Sequence, residues 1–431
     1  MKFSSTNHDS PEVGLEEAVM NGLAPDGGLY MPKEIPRLPD DFFQRAGEMS
    51  FHDIAFEMGK YFFSPDVPEN RLKIMIREAF NFDVPLVQLD THLYVYELFH
   101  GPTCAFKDFA ARFMARLFGF FGETSGQEIT ILVATSGDTG SAVAHGFLNV
   151  PGINVVILYP SGKVSPLQEK QLTGMGGNVR AYEVQGTFDD CQKLVKEAFV
   201  DQGLREKISL ASANSINIAR LIPQSFYYGY LASRLARSSH PLVVSVPSGN
   251  FGNLTAGIIA KQMGVPISKF VASTNANNEV PLYLQTGRFE AKPSVSTISN
   301  AMDVGSPSNF SRMLALYGDD VGKMRDDISG ASFSDDETRS AISRVYEQYR
   351  YIMDPHGAVA YLGLSYAVNR IPDAVGVFLE TAHPAKFSEE VERAIGRTVP
   401  MPARLSSYLD CEKNSTLLAN DFQELKKILT L

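Results

Sequence analysis

From about residue 93 onward, the sequence alternates short runs rich in β-branched residues with segments of helical length. The runs lie at 129–134, 155–159, 179–184, 208–211, 242–246, 270–273 and 375–379. Such alternation is typical of βαβ units, in which parallel strands form a sheet with helices on both faces. The sequence therefore predicts an α/β protein built on parallel sheets.

The rest of the chain is less regular. Residues 1–90 lack the alternation, although 12–23 and 51–62 look helical, and residues 276–370 read as mostly helical. We therefore predict two αβα domains behind a mainly helical N-terminal segment. The expected divisions are a segment at 1–90, a small domain at 91–225 and a large domain at 226–431.

Charge and composition narrow the possible partners. The 431 residues carry a net charge of −10, and the fractions of hydrophobic (44%) and charged (20%) residues are those of a soluble globular protein. An acidic surface disfavours nucleic acid and anionic membranes, whereas a small anionic substrate can still occupy a local basic pocket. We expect a small-molecule substrate, with no nucleic acid and no membrane as partner.

Cysteine and histidine usage indicates the compartment. Cys104, Cys191 and Cys411 are too few and too scattered for a disulfide framework, which favours a reducing environment. The eight histidines do not cluster with carboxylates or cysteines, so no metal site is expected. The N-terminus lacks the apolar core of a signal peptide, and no apolar run approaches membrane-spanning length. We expect a cytoplasmic protein.

A lysine stands at the start of an amphipathic helix. A strand-like run at 93–99 and a Gly-Pro break precede this helix, whose Phe109, Phe113 and Leu117 form one apolar stripe. Lys107 falls in the first turn, where the macrodipole disfavours a cation. Desolvation there would lower the lysine pKa and provide the neutral amine that Schiff-base chemistry needs. The alternative is a lysine whose ammonium group simply reaches solvent.

A glycine-containing turn links the strand at 242–246 to the next helix. Its sequence is Ser248-Gly249-Asn250-Phe251-Gly252-Asn253. Glycines let the backbone approach a ligand closely, and the free N–H groups of a helix start bind phosphate. A tight strand-to-helix turn without a ligand is equally consistent with this pattern. It is not a Walker A loop, because no Gly-Lys-Ser/Thr sequence closes it.

Two further strand ends carry polar groups. Thr135 to Gly140 follows the strand at 129–134 with hydroxyls, backbone donors and the carboxylate of Asp138. Asn214 to Arg220 begins another helix and adds a guanidinium group, which is a good bidentate clamp for phosphate. Ligands bind outside the carboxyl ends of strands in open α/β sheets. Simple helix caps and a surface arginine remain the alternatives.

Together these motifs resemble those of the threonine synthase family, which consists of fold-type II (tryptophan synthase β-like) pyridoxal-phosphate enzymes. The resemblance spans nearly the whole chain and follows the family's order. It is carried by Glu17-Ala18, Gly22 to Ala24, Asp26 to Tyr30, His100 to Thr103, Phe106 to Asp108, Ser136 to Gly140, Tyr159-Pro160, Ser248 to Asn253, Met302-Asp303 and Ser308-Asn309.

The resemblance implies a carbon–oxygen lyase that performs the last step of threonine biosynthesis. O-Phospho-L-homoserine would lose phosphate from its γ carbon, and water would then add at the β carbon to give L-threonine. The cofactor implied is pyridoxal 5'-phosphate, whose ring is the electron sink. Lys107 would bind this cofactor covalently and would move protons at the α and β carbons of the substrate.

The resemblance also implies two groups of binding residues. The cofactor phosphate would lie on Gly249, Asn250, Phe251, Gly252 and Asn253, and Thr381 would hydrogen-bond the pyridine nitrogen. Ser215 and Arg220, with Asn214 and Thr139, would hold the substrate phosphate, and Ser136 would also contact the substrate.

Asp138 departs from a common pattern. Many fold-type II enzymes have an asparagine that faces the phenolic oxygen of the cofactor at this position. A carboxylate would repel a phenolate unless the two groups share a proton. If Asp138 faces that oxygen, it is a cofactor ligand with a coupled titration. If it does not, it caps the helix that follows.

Other functions remain open at this point. A threonine dehydratase or an O-acetylserine sulfhydrylase would share the fold but would not need a second phosphate pocket, so Arg220 and its neighbours discriminate against them. A non-catalytic homologue that binds a phosphorylated metabolite would not need Lys107. The protein is expected to be a monomer or a homodimer. No role is assigned to His356 or His383.

Overall fold

The computed structural model describes residues 1–126, 128–135, 137–236 and 238–430. Its strands are β1 (Phe3–Ser5), β2 (Tyr30–Pro32), β3 (Leu86–Asp90), β4 (Leu93–Glu97), β5 (Ile129–Ala134), β6 (Ile153–Pro160), β7 (Val179–Val184), β8 (Ser209–Ser212), β9 (Leu242–Pro247), β10 (Lys269–Thr274), β11 (Ile328–Ser332), β12 (Val375–Glu380) and β13 (Thr416–Leu418).

The α-helices are α1 (Leu15–Asn21), α2 (Phe42–Arg45), α3 (Phe51–Phe63), α4 (Glu69–Ala79), α5 (Lys107–Ser125), α6 (Asp138–Phe147), α7 (Pro166–Thr173), α8 (Phe188–Val200), α9 (Gln202–Arg205), α10 (Ile218–Leu221), α11 (Ser225–Arg234), α12 (Gly252–Gln262), α13 (Glu279–Thr286), α14 (Phe310–Tyr317), α15 (Val321–Asp327), α16 (Asp335–Tyr349), α17 (Pro355–Val368), α18 (Ser388–Ile395), α19 (Ala403–Ser406) and α20 (Phe422–Leu429). Short 3-10 helices occupy Ala46–Glu48, Ile222–Gln224, Asn300–Met302 and Pro384–Phe387.

Two sheets organise the molecule. One has six strands in the order β11-β10-β9-β12-β4-β3, and the other has five strands in the order β13-β7-β6-β5-β8. Their neighbouring strands are parallel, except that β3 runs antiparallel to β4. The prediction of an α/β protein with parallel sheets is confirmed.

The strand order brings the predicted motifs together. β9, β12 and β4 are neighbours in the six-stranded sheet, and the glycine turn, Thr381 and the Lys107 segment follow these strands in turn. β5 and β8 are neighbours in the other sheet, and the segments of Asp138 and Arg220 follow them. Because parallel strands end at a common edge, each sheet presents its motifs on one side.

Helix α5 holds the lysine segment against the N-terminal helices. Phe109, Phe113 and Leu117 have no exposed surface, which confirms the predicted stripe. Phe80, at the end of α4, stacks on Phe113 with ring centroids 6.0 Å apart. Phe51 of α3 makes an edge contact with Phe109, with ring centroids 5.7 Å apart. The N-terminal helices therefore support the helix that begins at Lys107.

The sequence-based reading of residues 276–370 as mostly helical overlooked β11. This edge strand reads Ile-Ser-Gly-Ala-Ser and pairs in parallel with β10. Its small residues lack the β-branched enrichment by which the other strands are recognised. The strand exists because β10 offers an edge with which it can pair, and that is a tertiary effect.

Three strands also lie across the expected domain boundaries, and the first is β3, which falls in the expected N-terminal segment but belongs to the six-stranded sheet. β4, at the start of the expected small domain, belongs to the six-stranded sheet, and β13, in the expected large domain, belongs to the five-stranded sheet. Each joins its sheet through a partner that is remote in sequence, β12 for β4 and β7 for β13. Divisions drawn as continuous ranges therefore do not separate the two sheets.

Within the described residues, no helix is both long enough and apolar enough to cross a membrane. Among the same residues, His, Cys, Asp and Glu side chains form no group of three or more that could hold a metal ion.

Candidate active site

The lysine segment is joined to the end of β12 by backbone hydrogen bonds. The Phe106 N–H donates to the Thr381 carbonyl over 2.9 Å, and the His383 N–H donates to the Cys104 carbonyl over 3.0 Å. Cys104 adopts a left-handed backbone conformation with φ of 55°, which turns the chain into α5. Lys107 is therefore fixed beside the carboxyl end of the central strand of the six-stranded sheet.

Lys107 is the first residue of α5, as predicted. Its side chain is half-buried, and its Nζ lies 5.9 Å from the centre of the Phe106 ring. Burial lowers the pKa of Lys107 to about 8; Asp138 opposes this shift, while Arg220 and Lys386 add to it. Among the described residues, no hydrogen bond or ion pair is made by Nζ. The amine can therefore lose its proton near neutral pH.

The next residue in α5 closes the turn before the lysine. Asp108 is fully buried, and its carboxylate accepts hydrogen bonds from the Thr103 N–H (2.9 Å) and the Thr103 hydroxyl (2.8 Å). Gly101 allows this turn, because a Cβ atom there would overlap the Asp108 carboxylate. Burial raises the pKa of Asp108 to about 6 against the effect of the Thr103 hydrogen bonds.

Asp138 forms a buried ion pair that the sequence did not predict. Its Oδ1 lies 2.5 Å from Nζ of Lys386, and the same oxygen accepts a hydrogen bond from Gln168 over 2.9 Å. Burial by itself would raise the pKa of Asp138, but Lys386 and Lys107 hold that pKa well below its usual range. Asp138 is therefore a carboxylate, and its nearest cation is Lys386.

The interpretation of Asp138 as a helix cap is wrong. Helix α6 begins at Asp138, and its N-cap is Gly137, which has a φ of 148°. The Asp138 side chain instead reaches α7 and the 3-10 helix that contains Lys386. Sequence reasoning missed Lys386 because a lysine after a strand end looks the same whether it is buried or exposed.

The glycine turn forms a cradle at the start of α12. A Cβ atom on Gly249 would lie 2.5 Å from the Cα atom of Met302, so only glycine fits between these two backbones. Phe251 adopts a left-handed conformation with φ of 60°, which directs the chain into the helix. The first N–H groups of an α-helix have no partner within the helix. The local geometry suits an anion.

Buried amides surround this helix start. The Asn253 Oδ1 accepts hydrogen bonds from the hydroxyls of Tyr227 (2.6 Å) and Tyr228 (2.7 Å), whereas its Nδ2 is buried without a partner in the described structure. Nδ2 of Asn309 is likewise buried and unpartnered, 3.5 Å from the position that a Cβ atom on Gly252 would take. Buried donors without acceptors are costly, and an anionic ligand would satisfy them.

Asn250 connects the glycine turn to the neighbouring loops. Its Nδ2 donates to the Ser215 hydroxyl over 2.6 Å, and its Oδ1 accepts a hydrogen bond from the Ser308 N–H over 2.6 Å. The loop after β9 is thus bonded directly to the loop after β8, where the carboxyl ends of the two sheets meet.

A second anion-binding group lies beside this junction. Arg220 is 3% exposed. Its Nη1 donates to the Ala213 carbonyl over 2.6 Å, and its Nε has no partner among the described residues. Burial lowers the pKa of this guanidinium to about 10. The described part of the chain supplies no carboxylate within ion-pair distance of it. Asn214 Oδ1 is buried and unpartnered nearby in the chain.

The structure places the other predicted residues as follows. Thr139, in the first turn of α6, is half-buried, and Thr381, directly after β12, is 6% exposed. Ser136 lies outside the described residues. The two sets predicted from the sequence, Gly249 to Asn253 and Asn214 to Arg220, are therefore neighbours in space, with Lys107 close enough to Arg220 for the two charges to interact.

The two unassigned histidines hold backbone segments near the site. The Nδ1 of His383 accepts the Ala385 N–H over 3.1 Å, and burial lowers the pKa of His383 to about 4. His356 Nε2 accepts the Ala301 N–H over 3.3 Å, while its Nδ1 bonds Asp354. Because Nε2 is an acceptor, the proton lies on Nδ1. His356 thus fixes the segment that precedes Met302 and flanks Gly249.

These groups fit pyridoxal 5'-phosphate. The cofactor has a phosphate for the cradle at α12, with its unpartnered amides, and an aldehyde for an amine whose pKa is lowered to about 8. The buried Thr381 hydroxyl belongs to the same strand edge. The Arg220 guanidinium, whose Nε has no partner among the described residues, then remains for a second anion.

Three family models match the chain. They are described as pyridoxal-phosphate dependent enzyme (residues 80–380), threonine synthase N terminus (residues 2–80) and threonine synthase, C-terminal (residues 358–429).

Individual relatives agree with these models. The threonine synthase of Haemophilus influenzae is 44% identical over 430 residues, which cover 100% of this chain and 99% of the relative. The crystal structure of PLP-bound threonine synthase from Brucella melitensis aligns with a TM-score of 0.95 at 35% identity, covering 100% of this chain and 99% of that one. The Escherichia coli enzyme aligns with a TM-score of 0.92 at 40% identity over the same shares.

Proposed function

This chain belongs to the threonine synthase family of fold-type II pyridoxal-phosphate enzymes, and we propose which of its residues carry out the reaction of that family. As a member, it is a cofactor-dependent lyase that forms L-threonine and phosphate from O-phospho-L-homoserine and water. The observation that supports this assignment most is the position of Arg220 close to Lys107, with its Nε unpartnered among the described residues and with a separate anion cradle at α12. A substrate and a cofactor that both carry phosphate need two such sites.

We assign Lys107 as the residue that binds the cofactor and moves protons. Its pKa of about 8 leaves part of the population with a neutral amine at physiological pH. With cofactor and substrate bound, Lys107 Nζ would take a proton from the α carbon of the substrate and would act again in proton transfer at the β carbon. The cofactor supplies an electron sink for the negative charge that develops at these carbons.

We assign the cofactor phosphate and the substrate phosphate to different sites according to the hydrogen-bond donors that each site offers. Backbone N–H groups of Gly249 to Asn253 and the unpartnered amide of Asn253 suit a cofactor that stays bound. Arg220 suits a phosphate that must be recognised, released from the γ carbon and allowed to leave. Ser215, Asn214, Thr139 and Ser136 complete the substrate side of the proposal.

Thr381 and Asp138 are assigned to the ring of the cofactor. A threonine hydroxyl that donates to the pyridine nitrogen leaves that nitrogen unprotonated, which limits how strongly the ring withdraws electrons. Asp138 is assigned to the side of the phenolic oxygen. Its charge is compatible with that position because Lys386 lies 2.5 Å from its Oδ1.

The assignment is tested by measuring phosphate release and threonine formation together with purified protein and O-phospho-L-homoserine. We expect equal amounts of the two products and a yellow protein that borohydride bleaches. Lys107→Ala should fold, lose the absorbance of the lysine-bound cofactor and lose nearly all turnover, whereas Lys163→Met, at an exposed lysine, should match the parent. Near-normal turnover of Lys107→Ala without added amine would remove Lys107 from the mechanism.

We also infer that the enzyme is cytoplasmic, is a monomer or a homodimer, and binds neither nucleic acid nor membrane. The net charge of −10 and the three free cysteines support this inference. Light scattering coupled to size-exclusion chromatography measures the molar mass directly. A mass above that of two chains would contradict the expected assembly.

A further inference from the structure

The site contains a second lysine whose ammonium group has no access to solvent. Lys386 lies in the 3-10 helix Pro384–Phe387, and its side chain has no exposed surface. We propose that Lys386 is a positioning residue, which keeps Asp138 ionised and paired so that Lys107 is the amine that gives up its proton. This inference rests on the proposed attachment of the cofactor to Lys107.

The geometry fixes Lys386 on Asp138. Nζ of Lys386 lies 2.5 Å from Asp138 Oδ1 and donates to the Thr103 carbonyl over 3.0 Å, while Gln168 donates to the same Oδ1 over 2.9 Å. Four separate segments therefore meet at this pair: the start of α6, the start of α7, the turn before α5 and the 3-10 helix that contains Lys386. A buried ion pair with these extra hydrogen bonds has its charges satisfied, as such pairs require.

The Lys386–Asp138 ion pair determines which charges act on Lys107. Lys107 is not within ion-pair distance of a carboxylate in the described structure, although Asp138 is near enough to interact with it. Around Lys107 the charged groups are Asp138 on α6, Arg220 on α10 and Lys386 on the 3-10 helix, with Asp108 next to it on α5. Burial has the largest effect on the Lys107 pKa, and Arg220 and Lys386 add to it, whereas Asp138 opposes it. The positive charge of Lys386 offsets the negative charge of Asp138, so the balance at Lys107 disfavours the protonated form.

Among the described residues, Lys386 forms an ion pair with no carboxylate other than Asp138. Its charge also acts on Cys104, Asp108 and His383. Thr103 occupies both oxygens of Asp108, and the Nδ1 of His383 is used by the Ala385 N–H. Lys386 thus acts on Lys107 both directly, as a neighbouring positive charge, and by offsetting the negative charge of Asp138. Removal of Lys386 would leave Asp138 free to attract the Lys107 proton.

The proposal is tested by the pH dependence of cofactor binding, which requires no turnover. The full-length chain, freed of cofactor, is mixed with pyridoxal 5'-phosphate, and the rate of attachment to Lys107 is followed by absorbance between pH 6 and 10. The midpoint reports the pKa of Lys107, expected at about 8 in the parent. Lys386→Met should raise this midpoint by roughly one to three pH units, the range for an unopposed neighbouring charge.

Three variants separate an electrostatic role from a merely structural one. Asp138→Asn should lower the midpoint below that of the parent, because among the described residues Asp138 is the group whose charge raises the Lys107 pKa. The double variant Asp138→Asn/Lys386→Met removes both charges and should return close to the parent. Lys386→Arg keeps the charge and should stay near the parent as well, and the surface control Lys163→Met should not differ from it.

An unmoved midpoint in folded Lys386→Met, or a double variant that stays as high as the single one, would overturn the proposal. If Lys386→Met does not fold, Asp138→Asn and the double variant still decide, because the midpoint must fall in the first and recover in the second. Failure of the proposed function is distinguishable: in that case Lys107→Ala would acquire the cofactor absorbance as the parent does.

Discussion

At the scale of single residues, burial moves two adjacent charges in opposite directions. It lowers the pKa of Lys107 to about 8 and raises that of Asp108 to about 6. Both shifts favour the neutral form of the group, which is what a low-dielectric surrounding does to any lone charge. The first shift serves the chemistry, whereas the second costs stability and can be measured separately.

Asp108→Asn should remove a pH dependence of stability. The pKa of Asp108 is higher in the folded state than in the unfolded state. The contribution of Asp108 to the free energy of unfolding is therefore fully present below the ordinary pKa near 3.8 and is lost as the pH rises through 6. Asparagine can accept from the Thr103 N–H and donate to the Thr103 hydroxyl, so it keeps both contacts. The free energy of unfolding of the variant, relative to the parent, should therefore increase between pH 4 and pH 7 by on the order of 3 kcal/mol.

Urea denaturation at a series of pH values measures this difference, with Asp410→Asn at an exposed position as the matched control. Parallel stability curves for Asp108→Asn and the parent across this range would show that Asp108 is already neutral or is solvated when charged.

Arg220→Ala should retain the cofactor and bind substrate poorly. The loss of a charge-assisted bidentate contact costs roughly 1.5–3 kcal/mol, so KM for O-phospho-L-homoserine should rise about tenfold to a hundredfold. Inhibition by inorganic phosphate should weaken in parallel. Steady-state kinetics with Arg180→Ala, an exposed arginine, as the control make the comparison. Unchanged KM and kcat would exclude Arg220 as the phosphate ligand.

At the scale of elements, the cradle at the start of α12 depends on the close approach of two backbone segments, one at Gly249 and one at Met302. Gly249 faces the Cα atom of Met302, and His356 fixes the segment before Met302 through the Ala301 N–H. The cradle is thus formed by a strand end, a helix start and a 3-10 helix together, and a change in any of them alters its width.

Gly249→Ala should lower the affinity for pyridoxal 5'-phosphate. The new Cβ atom would lie 2.5 Å from Met302 Cα, and backbone cannot yield as a flexible side chain does. If the turn moves and loses one or two contacts to the cofactor phosphate, the Kd for pyridoxal 5'-phosphate should rise about tenfold. Gly47→Ala, where no atom lies within 4 Å of the new Cβ, is the matched control. Full cofactor occupancy with weakened substrate binding would mean that the two phosphate sites are exchanged.

At the scale of the whole molecule, one buried cation joins the N-terminal segment to the loop after β8 and to the start of α14. Arg312 has no exposed surface and donates to the carbonyls of Tyr30 (2.9 Å), Ser215 (3.1 Å) and Ile216 (2.7 Å). It also donates to Asn309 Oδ1 over 2.8 Å, and this leaves the Asn309 Nδ2 directed away from it. Burial lowers the pKa of Arg312 to about 9.

Arg312→Met should destabilise the fold and loosen both phosphate sites. Three carbonyls would lose their donor, and each buried group left without a partner costs on the order of 1–3 kcal/mol. We expect a lower Tm, together with weaker binding of cofactor and substrate, because the Ser215 loop and Asn309 both lose their support. Thermal unfolding and cofactor titration, with exposed Arg37→Met as the control, measure the two effects. A lower Tm with unchanged affinities would restrict Arg312 to a role in stability.

Local sequence patterns predicted those strands and helices in which one kind of environment, buried or exposed, extends along the whole element. β5 and β7 have the predicted bounds, because runs of β-branched residues between turn signals need a sheet to cover them. α5 begins at the predicted lysine and buries the predicted stripe. β11 escaped notice, since its small residues pair only because β10 presents an edge.

The sequence by itself determined that the protein is an α/β protein with parallel sheets, located most of the parallel strands to within one or two residues, and showed which polar residues follow them. Periodicity and turn chemistry express this information within a few neighbouring residues. Tertiary structure alone decided that β4 lies beside β12, that Lys386 pairs with Asp138, and that Arg312 meets the Tyr30 carbonyl across 282 positions of sequence. Burial of a charge and the identity of its partner depend on which distant segments pack together, and no local pattern carries that information.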